Sequence, residues 1–76
     1  MSLEDIFVSL RRYKCVKYVR YDPRGGYIVV RFRSPSDTMA VSTALLSAFR
    51  NLILHYSHDR KTLVIREKPV ERELGV

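Results

Sequence analysis

Between Lys17 and Arg33 the chain reads KYVRYDPRGGYIVVRFR, with cations set among aromatic and β-branched residues. Arginine presents a flat fork of donors that matches phosphate, and aromatic rings stack on unpaired bases, so this mixture on one surface suits a single-stranded polyanion. Three other groups invite a chemical reading. Arg24-Gly25-Gly26 brings backbone donors where glycine permits close approach to a phosphate, but it lacks the further residues of a P-loop or dinucleotide fingerprint. A plain tight turn accounts for it. His55, His58 and Asp59 are spaced across a strand and a turn, and no second pair of ligands completes a tetrahedron. Cys15 is flanked by Lys14 and Lys17, yet no nearby histidine offers a base, which fits a half-buried strand cysteine. No pair of carboxylates is spaced for acid/base work. The expectation is a protein without catalytic, metal or cofactor chemistry.

The elements that must position these residues follow from patterning. Ser2 suits a helix N-cap with Glu4 and Asp5 in the first turn, and Leu3, Ile6, Phe7 and Leu10 recur as one apolar helical face running to about Arg12. Arg11, Arg12 and Lys14 close that helix. A hairpin comes next, turning on Asp22 to Gly26. With a five-residue loop, Tyr21 faces Tyr27, Val19 faces Val29 and Lys17 faces Arg31 on one side of the ribbon. Val16, Tyr18, Ile28, Val30 and Phe32 are then the buried side, and Arg20 among them must reach the rim. A one-residue slip exchanges the faces of one strand.

Ser34-Pro35-Ser36-Asp37 predicts a second helix, with Ser34 as N-cap and Pro35 at the first helical position, running to about Arg50 or Asn51. Its expected apolar stripe is Val41, Ala44, Leu45, Ala48, Phe49 and Leu52, opposite Ser36, Thr43, Ser47 and Arg50. Ala40, Ala44 and Ala48 would allow close packing on a sheet or a symmetry mate. A second hairpin, Leu52 to Ser57 and Thr62 to Lys68, turns at His58-Asp59-Arg60-Lys61. A four-residue loop there puts Leu54, Tyr56, Leu63 and Ile65 inward, and Ile53, His55, Thr62, Val64, Arg66 and Lys68 outward. Residues 69–76 have alternating charges and no apolar period, and read as a frayed tail or a short helical end.

A shift of 35 residues lays Leu10 on Leu45, Tyr21 on Tyr56, Ile28 on Leu63, Val29 on Val64, Val30 on Ile65 and Arg31 on Arg66. Duplication and the shared grammar of two amphipathic units both explain this match. The shift also implies a second loop of five residues, against the four of the register above. Either way the fold class is α+β: a two-layer sandwich in the order α-β-β-α-β-β, a four-stranded antiparallel sheet with two helices on one face.

Composition bounds the rest. At 76 residues, residues 1–68 form one domain, and the 46% hydrophobic and 29% charged residues exclude a disordered tail. Fourteen Lys+Arg against eight Asp+Glu leave a net charge of +6, and ten of those cations are arginine. Such a balance attracts polyanions. The one cysteine excludes a disulfide scaffold, no apolar run reaches the length of a membrane span, and the acidic start lacks a signal peptide's basic and apolar regions. The expected location is cytoplasmic. An unstapled domain this small often assembles, so a homodimer or higher homo-oligomer is expected.

The uncovered sheet face would carry Lys17, Tyr21, Tyr27, Val29, Arg31, Arg33, Val64 and Arg66. In layout and composition this chain resembles the small archaeal single-strand-binding proteins of the ThermoDBP-related group. That resemblance implies an oligomer gripping single-stranded DNA or RNA in a basic groove, with Tyr27, Arg31, Arg33 and Arg66 as natural contacts. Tryptophan is absent, which leaves tyrosine and phenylalanine to stack. The expected site is therefore Lys17, Tyr21, Tyr27, Arg31, Arg33 and Arg66. The competing reading is an interaction subunit whose Val19, Val29 and Val64 make the same face an interface rimmed by arginine.

Overall fold

In the computed structural model, which describes residues 3–68, six elements follow one another: α1 (Leu3–Leu10), β1 (Val16–Asp22), β2 (Tyr27–Phe32), α2 (Pro35–Ala48), β3 (Leu52–Tyr56) and β4 (Thr62–Glu67). All strand pairs are antiparallel, in the order β1-β2-β4-β3. The expected Ser2 cap and the 69–76 tail lie outside the described residues.

Alternation along β2 sets the layers. Ile28, Val30 and Phe32 have no exposed surface, while Tyr27, Val29 and Arg31 are half-buried, as the twofold period of a strand dictates. Leu63 and Ile65 of β4 join the buried set, and Leu3, Ile6 and Leu10 of α1 with Val41 and Leu45 of α2 cover it. Both helices therefore lie on one face of the sheet. The other face has no layer over it among the described residues.

The cap at Ser34 forms as its sequence implies: Ser34 Oγ accepts from the Asp37 N–H at 3.3 Å, and Pro35 opens the helix. Its buried stripe differs from the expected one. Thr38, Val41, Ser42 and Leu45 face the sheet, while Ala44 and Ala48 are exposed and the helix stops at Ala48. Two hydroxyls can be buried here because each donates to the carbonyl four residues back, Thr38 to Ser34 at 3.2 Å and Ser42 to Thr38 at 2.7 Å. That turns the stripe away from the alanines. Ala40, Ala44 and Ala48 all face outward.

The first hairpin also departs from the expected register. Asp22 pairs with Tyr27, Tyr21 with Ile28, Arg20 with Val29 and Val19 with Val30, so the loop is Pro23 to Gly26, four residues instead of five. Asp22 extends the strand because its carboxylate replaces the missing loop bonds: Oδ1 accepts from the N–H groups of Arg24 at 3.0 Å and Gly25 at 3.1 Å. Gly26 closes the turn at φ 71°, a left-handed value that favours glycine. A bulge between Val16 and Tyr18 then absorbs Lys17 and keeps Val16 opposite Phe32. The slip sends Tyr18 and Arg20 outward and Val19 and Tyr21 inward.

Shortening the first loop removes the conflict in the 35-residue shift. Both loops now hold four residues, Pro23 to Gly26 and His58 to Lys61, and β2 maps onto β4 end to end. The buried helical positions Leu3, Ile6 and Leu10 map onto Thr38, Val41 and Leu45. Val29 and Val64, equivalent under the shift, are direct cross-strand partners at the centre of the sheet. A pseudo-twofold axis passes between them.

Candidate nucleic-acid interface

The open face is a small grid. Across the strands in the order β1, β2, β4, β3, one row is Asp22, Tyr27, Arg66 and Ile53, the next is Arg20, Val29, Val64 and His55, and the third begins Tyr18, Arg31 and Thr62. Two valines form the floor, and cations and rings surround them. Tyr18 is the most open ring, at 51% exposure.

Tyr27 is held from two sides. The Arg66 guanidinium lies 5.3 Å from its ring centroid, the cation–π contact expected of a direct cross-strand pair. On the other side the loop backbone sits so close that a Cβ at Gly25 would run into the ring. Glycine at that position lets the ring fold back over the turn. Asp22 completes the corner with its carboxyl held below the ordinary range, first by the Gly25 N–H and with further help from the Tyr27 hydroxyl and Arg24 N–H, against the opposing effect of burial.

Arg31 is tethered differently. Its Nη1 donates to Thr62 Oγ1 at 2.7 Å and its Nη2 to Asp59 Oδ2 at 3.1 Å. Asp59 in turn accepts from the Ser57 hydroxyl at 2.6 Å and the Lys61 N–H at 3.0 Å, so it both builds its loop and holds the arginine. The Ser57 hydroxyl, then the Lys61 N–H, then Arg31 keep the Asp59 carboxyl far below its usual value. Among the described residues, no group of three or more His, Cys, Asp and Glu side chains is placed together to hold a metal ion. His55 is exposed on the open face and His58 in the loop.

Of the six residues singled out by sequence, Tyr27, Arg31 and Arg66 come together on this face. Arg33 lies just past β2, exposed, its Nε 3.5 Å from the Lys14 carbonyl, and Lys17 is exposed in the bulge. Both sit at the margin. Tyr21 is a correction: the slipped register turns it to the helix side, where its ring lies 5.8 Å from that of Phe7. It still reaches the edge cleft that Arg20, Pro23 and Tyr27 also line. Tyr18 and Arg20 take its place on the face. One signal pointed to them: a register that buries Arg20 puts a charge on the core side, and a slip of one removes it.

No family model, curated protein or solved structure matches this chain.

Proposed function

We propose that this protein binds single-stranded DNA or RNA, without catalysis, through the open face of its sheet, and that it works in the cytoplasm as a homo-oligomer. One observation carries the reading. An uncovered sheet face bearing Tyr18 and Tyr27 beside Arg20, Arg31 and Arg66, over a Val29 and Val64 floor, offers stacking platforms and phosphate donors within the reach of one strand. The rings take bases with little sequence preference. Arg66 and Arg20 meet phosphates, and Lys17 and Arg33 extend the field at the margin. Three arginines, Arg20, Arg31 and Arg66, bordering a floor of only two valines count against the competing reading of this face as a protein interface, since interface cores are depleted in charge.

Fluorescence anisotropy of a labelled single strand, titrated across a salt series, tests the proposal. Binding should weaken with salt by ~0.7 in log K per log unit of salt for each phosphate contacted, and a duplex of the same sequence should bind more weakly. Absence of binding to either single strand at low salt would remove the function.

A further inference from the structure

The two edges of the sheet are guarded to different degrees. β1 is blunted by a bulge, by Lys17 in that bulge and by Arg20 and Asp22 along its length. β3, reading Leu-Ile-Leu-His-Tyr, has no lysine, arginine, aspartate, glutamate or proline, and its register on β4 runs without a break. An edge with neither charge nor bulge is a template for another strand. In a chain of net charge +6, an edge free of cations is also where a second copy meets least repulsion.

Among the described residues, the hydrogen bonding defines which groups have no partner. Ser57 N–H donates to Thr62 at 2.9 Å and Lys68 N–H to Asn51 at 2.8 Å, so by alternation the backbone groups of Ile53 and His55 face β4. Those of Leu52, Leu54 and Tyr56 face outward. This set is symmetric about Leu54. A second β3 laid antiparallel would pair Leu54 with its own copy and Leu52 with Tyr56, closing about six hydrogen bonds across three pairs. Side-chain parity is kept as well, because Ile53 then lies beside His55 on the open face and no like charges are opposed.

The helix side of β3 supplies the complementary surface. Leu52 and Leu54 are only half-buried, Tyr56 is 37% exposed, and a cleft of ≈ 250 Å³ opens beside Leu52, lined by Ile6, Phe49 and Glu67 among others. The symmetric register brings Tyr56 of each copy to Leu52 of the other, at the mouth of that cleft. We propose that two copies of this chain pair through their β3 strands, about a twofold axis at Leu54, into one continuous eight-stranded sheet. The pairing makes the two open faces a single surface, and it stands on the edge geometry whether or not that surface binds nucleic acid.

Hydrogen exchange on the unmodified protein, read by NMR alongside sedimentation, tests it. At high micromolar concentration the mass should be twice that of the chain, and the amides of Leu52, Leu54 and Tyr56 should be protected together with those of Ile53 and His55. Dilution should halve the mass and release only the first three. Leu54→Pro, which deletes an outward N–H and leaves the β4 ladder intact, should give a folded monomer by circular dichroism. A monomer at every concentration overturns the proposal. So does an oligomer in which the Leu54 and Tyr56 amides exchange freely, which would move the interface elsewhere, such as the outer side of α2 at Met39 and Leu46.

Discussion

Each half of the molecule is a helix followed by a hairpin, and the two differ most in how they hold their arginines. In the first pair across the seam, Arg66 leans on Tyr27, and among the described residues no acceptor takes its donors. In the pair related by the pseudo-twofold, Arg31 stands where Arg66 would and Thr62 where Tyr27 would, and the donors of Arg31 are taken by Thr62 and Asp59. Near-equivalent positions thus carry one available cation and one occupied cation. Binding energy should accordingly be lopsided, centred on the Tyr27 and Arg66 corner.

The largest expected effect breaks the halves themselves. Leu10→Ala and Leu45→Ala, at matched and buried helical positions, should each cost about 2–5 kcal/mol by urea denaturation, with Leu10 the costlier because it is 1% exposed against 5%. A cheap Leu10→Ala would show that α1 does not share the core equally. For binding, Tyr27→Ala should lose ~1–3 kcal/mol, the range of one base stacked on a ring, and Arg31→Ala should lose less. Equal losses in anisotropy titrations would erase the proposed asymmetry. Asp59→Asn should move Arg31 toward the behaviour of Arg66, tightening binding; weaker binding would mean that the tether positions Arg31 for its ligand.

The smallest effect concerns acid. Asp59 and Asp22 both have carboxyls lowered from the ordinary value of 3.8, so the stability they contribute is present above about pH 4. It is lost as the pH falls below that through their folded values. Thermal melts of the parent and of Asp59→Asn should therefore converge in acid and separate near neutrality. A gap that widens on acidification would contradict the assignment of Ser57, Lys61 and Arg31 as its partners.

Element order, the second hairpin and the Ser34 cap were legible because each rests on local chemistry: Ser-Pro at a helix start, and alternation in LILHY and TLVIRE. The first hairpin was legible in outline only. Its register turns on whether Asp22 spends its carboxylate on the loop, a choice made between side chain and backbone that alternation does not encode. That single residue decides whether Tyr21 or Tyr18 reaches the open face. The buried stripe of α2 was legible at Val41 and Leu45 but not at Thr38 and Ser42, which count as polar until their hydroxyls are seen to be satisfied within the helix.

The seam between Val29 and Val64 has a kinetic meaning. Each hairpin closes a short loop and can form early, but β2 meets β4 only after the chain through α2 and β3 has folded back on itself. The loop-closure entropy of the domain is concentrated at that one strand pair, so the slow step of folding should be the zipping of two preformed halves along a valine contact.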